Sequence, residues 1–350
     1  MCRWIAYSGT PVLLGQVLLQ PEHSLIDQSL HSRMGVETTN GDGFGVGWYT
    51  QDAATPALLR DTGPAWNNRN LQEVAQHVRS GLFFGHIRAT TGTAVQQSNC
   101  HPFRSGRWMW MHNGMISDFP RLRRDLALAV DPVLYPDIEG STDSELMFYL
   151  ALSFGLPDDP PRAVARMAGL VEATGHAHGV TYPLQMTVAV SDGERVWAFR
   201  YSSEGRSRSL YFSTKVDALR ALHPDVSFLR DISDATRLVV SEPLGDLTGA
   251  WNEVPESSYG IIQPGGACSV PSGPILILSV RPDRMWPGAR MRRPPHSRRV
   301  SRTATGRSSA SPWPRHPPRS ARSGTGATTG TVDEAYRHRR PAAAHPCRRR

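Results

Sequence analysis

The chain has 350 residues and a formal net charge of +8, enough length for one large domain or two ordinary ones. The charge is uneven: residues 281–350 hold 18 arginines against three acids, whereas residues 1–280 hold 21 basic against 28 acidic residues. The acidic body argues against nucleic-acid binding by the protein as a whole, and Cys2, Cys100, Cys268 and Cys347, with no CxxC pair, fit neither a disulfide framework nor a zinc finger.

Met1-Cys2 leads straight into residues 3–8, which read as a strand. A chain terminus is normally solvated, a poor place for a side chain that behaves as a small hydrophobe. Loss of Met1 would leave Cys2 with a thiol and a free α-amine on adjacent atoms, with ordinary pKa values of about 8.5 and about 7.7–8.0. A nucleophile and a base would then sit together. The plain alternative is a buried structural cysteine.

Residues 11–26, punctuated by Pro11 and Pro21, read as a loop or short helix on the core. Glycine then falls at positions 41, 43, 45 and 47, with Phe44, Val46 and Trp48 between. A period of two implies a strand with one bare face, approached closely by another backbone or a ligand. The spacing is not GxGxxG ahead of a helix, so a dinucleotide site is not expected. A helix is expected over 71–78, and buried strands over 82–88 and 107–112, each ending in a polar cluster. Ser141 or Thr142 reads as the cap of a helix continuing through Leu146–Leu150, and a second helix is expected over 160–173. Short strands follow at 185–190, 195–201, 210–213, 238–240, 259–262 and 275–278. Strands on both sides of a central helix pair argue for antiparallel sheets with helices packed outside.

Beyond 281, ten prolines, many Ser and Arg, and no apolar period describe a segment unable to bury enough surface to fold alone. It reads as a disordered tail; the alternatives are a polybasic arm or an out-of-frame reading of GC-rich coding sequence. No run of 18 apolar residues predicts a membrane span, and no signal peptide is read, so a reduced, cytoplasmic setting is the default expectation.

Several polar clusters align in order: Gly85-His86-Ile87-Arg88-Ala89-Thr90-Thr91-Gly92, Asn99-Cys100-His101-Pro102-Phe103, Met111-His112-Asn113-Gly114 and Gly140-Ser141-Thr142-Asp143-Ser144-Glu145. Taken alone, Arg88 reads as a surface ion pair, Asp143 as a helix cap, and His86 and His112 as structural histidines. Cys100 and His101 are adjacent and point apart on an extended chain, against a catalytic dyad. His176 and His178 lack a carboxylate or thiol partner, so no metal is expected.

Together with Cys2, these clusters resemble the class II glutamine amidotransferases from residue 2 to about 280. They resemble most the stand-alone branch, which includes bacterial members, the ergothioneine-pathway γ-glutamyl hydrolase and a yeast glutathione-degradation subunit. The resemblance implies an α+β, four-layer αββα sandwich of two antiparallel sheets, the N-terminal nucleophile hydrolase fold, over 2–280. It implies Cys2 as nucleophile with its α-amine as base, and Asn113 and Gly114 as the oxyanion hole. It further implies Arg88 on the substrate α-carboxylate, Asp143 on the α-ammonium, and supporting roles for Thr90, Thr91 and His101. The implied reaction is hydrolysis of the γ-glutamyl amide bond of glutamine or a related compound, without a cofactor. No ammonia-consuming synthase follows residue 280, so either a separate synthase accepts the ammonia or the enzyme is a plain hydrolase. A catalytically silent glutamine-binding subunit is the alternative of another class. The leaving-group side is expected from loops near 200–202 and 241–243.

Overall fold

The computed structural model describes residues 2–34, 39–90, 92–263 and 268–274, the last stretch by its backbone alone. The first half runs β1 (Arg3–Leu13), α1 (Leu14–Leu18), α2 (Leu25–Leu30), β2 (Phe44–Trp48), β3 (Ala57–Asp61), α3 (Arg69–His77), β4 (Arg79–Ile87), β5 (Phe103–Ser105), β6 (Trp108–Ile116) and α4 (Phe119–Ala127). A helix pair follows, α5 (Asp143–Ser153) and α6 (Pro160–Ala177), then β7 (Leu184–Ser191), β8 (Val196–Ser202) and β9 (Tyr211–Ser213). The last elements are α7 (Val216–Leu222), α8 (Ser227–Asp231), β10 (Arg237–Val240), β11 (Trp251–Glu253), β12 (Ser258–Ile262) and β13 (Cys268–Pro274).

One sheet has the order β11-β9-β10-β1-β4-β2-β3 and the other β13-β12-β8-β7-β6-β5. Every neighbouring pair is antiparallel. Side-chain alternation sorts the central strands into layers. Trp4, Ala6, Leu82 and Phe84 of the first sheet meet Met109, Met111, Ala189 and Ala198 of the second, forming the core between the sheets. The alternate residues, Ile5, Tyr7 and Phe83, pack outward with Leu14, Leu18 and Leu71 of the flanking helices. On the other side Trp110, Val188 and Phe199 pack beneath Leu122, Phe148 and Val164. Three apolar layers separate four structural ones. The fold is the expected αββα sandwich.

Both faces of these strands are buried, which is why their sequences read as continuous apolar runs instead of alternating ones. α5 buries Leu146 through Ala151 without interruption and is sandwiched between sheet and helices. Its N-cap is Thr142, whose hydroxyl accepts from the Glu145 amide at 3.1 Å. Asp143 is therefore the first helical residue and not the cap. The glycines at the start of β2 face the segment leading into β5: a Cβ on Gly45 would overlap the His101 carbonyl oxygen, and one on Gly43, just before the strand, would lie 2.6 Å from Cys100 Sγ. The bare face exists to admit another backbone.

β1 extends past the expected residue 8 to Leu13, because Val12 and Leu13 resume pairing with Ser80 and Arg79 after an irregularity. β3, β5 and β11 are edge or near-edge strands of three to five residues, and α4, α7 and α8 also went unread. The expected strand at 275–278 and the tail from 281 lie outside the described residues. No helix among the described residues is long and apolar enough to cross a membrane.

Candidate active site

Cys2 immediately precedes β1, which lies between β10 and β4. Arg3 opposes Ile87 across the ladder, so the antiparallel register carries Cys2 beside Arg88 and Ala89 at the end of β4. The Cys2 thiol donates to the Ala89 carbonyl at 3.5 Å. A small cavity of about 60 Å³ opens at this sulfur, and its walls include Cys2, Arg88, His101, Asn113, Gly114 and Asp143. Four separate stretches of sequence thus converge on the thiol. A groove of about 810 Å³ near Ser8 and Arg79 is larger but gathers no thiol or imidazole.

Arg88 is 3% exposed. Its guanidinium donates to the Asp42 carbonyl at 3.3 Å, to Thr90 Oγ1 at 3.2 Å and to Thr93 Oγ1 at 2.6 Å. The backbone of Arg88 is held by the glycine segment: its amide donates to the Gly43 carbonyl, and its carbonyl accepts from Asp42. Thr90 is fixed in turn by Asp42 Oδ2 on its amide and by its own bond to the Thr93 carbonyl. No carboxylate pairs with Arg88 among the described residues. A buried cation held only by neutral oxygens is under-compensated, and the cavity is where an anion would complete it.

Asn113 and Gly114 come from β6, on the other sheet. The Asn113 carbonyl accepts from Thr187 Oγ1 at 3.2 Å, and that hydroxyl accepts from Trp4 Nε1 at 3.3 Å, a bridge from β6 to the strand of Cys2. The Asn113 side-chain amide has no hydrogen-bond partner among the described residues and lines the cavity. Gly114 has φ +153°, and a Cβ there would overlap the Gln185 carbonyl oxygen. No other residue fits.

Asp143 accepts from the Ile116 amide at 2.8 Å on Oδ2, and from the Ser144 amide at 2.7 Å and hydroxyl at 3.2 Å on Oδ1. Three donors leave about one acceptor site of a carboxylate's four, with no cation paired to it among the described residues. The cavity wall therefore carries the Arg88 guanidinium and the Asp143 carboxylate, which do not neutralise each other. Burial pushes the Cys2 thiol up, and Asp143 adds to this, while a hydrogen bond with the Ala89 backbone and the charge of Arg88 oppose it.

His101 also lines the cavity, and both its ring nitrogens are buried without a partner. Its ring stacks on His86 at 4.0 Å and meets Phe103 edge-on at 4.5 Å. His112, also in the cavity wall, turns Nδ1 to Ser144 Oγ at 2.8 Å. Thr91 lies outside the described residues. No group of three or more potential metal ligands occurs among the described residues.

Residues 13–274 match the sequence family of class II glutamine amidotransferases. The probable glutamine amidotransferase DUG3 of Saccharomyces cerevisiae is 33% identical over 287 positions, which cover 74% of this chain and 80% of that protein. The chain belongs to the class II glutamine amidotransferases. A solved structure described as a glutamine aminotransferase class-II domain protein from Silicibacter pomeroyi shares 34% identity and a TM-score of 0.57, over 77% of this chain and 99% of its own. The γ-glutamyl-hercynylcysteine sulfoxide hydrolase of Mycobacterium tuberculosis is 33% identical over 118 positions, a third of this chain and half of that one. The phosphoribosylpyrophosphate amidotransferase of Bacillus subtilis shares the fold, with a TM-score of 0.50 at 16% identity.

In this amidotransferase the stretches expected to border the leaving group sit elsewhere. Arg200 binds Glu253 and Ser207, Tyr201 binds Glu172, and Glu242 lies beneath β1. Met115 and Arg208 line the cavity in their place. Thr93 and Asp42, which orient Arg88, were not read from the sequence. Asp42 sits between Gly41 and Gly43, just ahead of β2, where the period-two reading expected close approach by another backbone or a ligand and gave Asp42 itself no role.

Proposed function

We propose that this amidotransferase hydrolyses the γ-glutamyl amide bond of glutamine or a γ-glutamyl compound through a Cys2 thioester. One observation carries the reading: Arg88 and Asp143, both without a charged partner among the described residues, share a cavity wall with the Cys2 thiol. A substrate end bearing one carboxylate and one ammonium satisfies both at once. Arg88 is the fork for the α-carboxylate and Asp143 the acceptor for the α-ammonium.

Removal of Met1 exposes the α-amine of Cys2. The amine takes the thiol proton as sulfur attacks the γ-carbonyl carbon, and the carbonyl oxygen becomes an oxyanion. The uncommitted Asn113 amide and the Gly114 N–H stabilise it. Collapse breaks the carbon–nitrogen bond, and the leaving nitrogen takes the proton back from the ammonium. Water, deprotonated by the same amine, then attacks the thioester and releases glutamate. A thiol whose pKa is raised by burial is poorly ionised at rest, so a base at the attacking step is what this sulfur needs. Thr90 keeps Arg88 in position, and His101 offers its free ring nitrogens to the bound substrate. The mycobacterial relative, named as a hydrolase, supports water as the acceptor.

Intact mass combined with labelling by a diazo-oxo-norleucine tests this reading. One adduct on Cys2 of a chain lacking Met1, absent in Cys2→Ala, is expected together with glutamate release. Full activity in protein that retains Met1 would refute it.

A further inference from the structure

Beneath the strand of Cys2 lies a buried cluster of charges that the steps above leave unused. Alternation along β1 turns the Arg3 side chain away from the face of Trp4 and Ala6. Its Nε donates to Glu242 Oε2 at 2.7 Å, and its Nη1 donates to the Cys2 carbonyl at 2.9 Å. Nη2 bonds Ser32 Oγ and the Met34 carbonyl. Glu242, 1% exposed, also accepts from His23 Nε2 at 2.6 Å, the Arg33 amide at 2.7 Å and the Met34 amide at 3.2 Å. Asp27 Oδ2 lies 2.7 Å from the other nitrogen of His23, and Asp27 Oδ1 lies 3.0 Å from the exposed His31. Next to Glu242, Ser241 clasps Trp4 from both sides: its amide donates to the Trp4 carbonyl at 3.0 Å, and its hydroxyl accepts from the Trp4 amide at 2.9 Å.

We propose that Arg3 is a positioning residue for Cys2, locked by Glu242 so that it grips the Cys2 carbonyl and places a fixed cation beside the α-amine of the processed chain. The proposal deepens the hydrolase reading and rests on it. Once Met1 is gone, nothing on the N-terminal side restrains Cys2, and the grip on its carbonyl is what keeps amine and thiol in one orientation. The field follows from the order of the contacts. The guanidinium touches Cys2 itself, whereas the Glu242 carboxylate sits on Nε, the nitrogen on the stem side of the guanidinium. A guanidinium held on the Cys2 carbonyl favours the neutral form of the amine, the one that accepts the thiol proton. Stability alone is a weak reason to bury such a pair, because desolvation of both charges offsets much of their attraction.

Other titratable groups also face Cys2: Arg88 from the end of β4, His112 from β6, Asp143 from α5, and His101, Cys100 and Arg208 from loops. All of them are kept in the variants that test the proposal. In the full chain, with Met1 removal checked by intact mass, Arg3→Met is expected to lower kcat by roughly tenfold to a hundredfold, with KM within about threefold. The acid limb of its kcat/KM profile is expected to move up by about one pH unit. Glu242→Gln leaves the cation uncompensated, and its acid limb moves down. Arg3→Lys keeps the charge and loses the two-sided grip: kcat falls while the acid limb stays. Opposite shifts in the two members of one ion pair are not produced by loss of folding. Wild-type kcat and acid limb in Arg3→Met would overturn the proposal, as would losses that track the folded fraction with an unmoved limb. If Arg3→Met does not fold, Arg3→Lys decides, and wild-type kcat there overturns it. Wild-type protein inactive on every γ-glutamyl amide, or activity surviving in Cys2→Ala, would instead remove the underlying hydrolase reading.

Discussion

Acidification from pH 7 to pH 5 is expected to remove a large share of the protein's stability, and three histidines beside the nucleophile set the size. His86, His101 and His112 are buried. His86 donates from Nε2 to the His112 carbonyl at 3.3 Å, while its Nδ1 and both nitrogens of His101 have no partner. Burial pushes His86 down to about 3 and His101 well below the ordinary imidazole range. Burial lowers His112 too, against an opposing pull from Asp143. The unfolded chain protonates each near its ordinary value of about 6.5, so below that pH the unfolded state binds more protons and stability falls with pH. For His86 alone, from 6.5 to 5, the loss is about 2 kcal/mol, and the other two act in the same direction. Total stability of a domain is about 5–15 kcal/mol, so the effect is large. Glu242 and Asp27, whose carboxyls are held below their ordinary range, add their losses only nearer pH 4. Urea denaturation at half-unit steps from pH 7 to 5 measures the slope. His86→Phe keeps a ring in the stack and removes one protonation; its slope between pH 6 and 5 is expected to be shallower by about 1.2 kcal/mol per pH unit. A flat wild-type profile, or an unchanged slope in His86→Phe, would refute the reasoning.

Two substitutions test the proposed substrate contacts. Arg88→Lys keeps the charge but cannot present a bidentate fork while bonding Thr90 and Thr93, so kcat/KM for glutamine is expected to fall about tenfold to a hundredfold, mostly in KM; unchanged kinetics would remove Arg88 from the carboxylate. Asn113→Ala is expected to lower kcat about 10²–10³-fold at saturating substrate, and a loss confined to KM would place Asn113 in ground-state binding instead.

Much of this architecture was legible because both faces of the central strands are buried. Continuous apolar runs at 82–88, 107–112 and 185–190 announce themselves in the sequence, and each proved to be a central strand. β3 and β5 did not, since short edge strands owe their existence to a neighbour's ladder more than to their own residues. The helix over Asp143–Ser153 was readable from its Thr and acidic start, but the division of labour there was not. Thr142 takes the cap, which frees the Asp143 carboxylate to hold the Ile116 amide and face the cavity. The site clusters were readable as a set, since their residue types and order match the family. Their orienting partners were not, because Asp42, Thr93 and Glu242 reach the site through contacts that no local pattern encodes. Glu242 lies 239 residues from the arginine it binds.

Position in the sandwich explains why so small a cavity gathers residues from both sheets. Cys2 leads the strand at the centre of one sheet, and Asn113 lies within β6 of the other, so their separation is set by how closely the sheets pack. Small residues at that interface, Ala6, Ala189 and Ala198, leave room for the Trp4 indole between them. The indole does more than fill space. Its Nε1 reaches Thr187, and the Thr187 hydroxyl passes the contact to the Asn113 carbonyl. Two hydrogen bonds of 3.3 Å and 3.2 Å thereby register the nucleophile's strand against the proposed oxyanion donor. Displacements of about 1 Å between reacting groups are enough to cost roughly a hundredfold in rate. The apolar core between the sheets is therefore part of what aligns the chemistry, and Trp4 is the residue where packing and alignment meet.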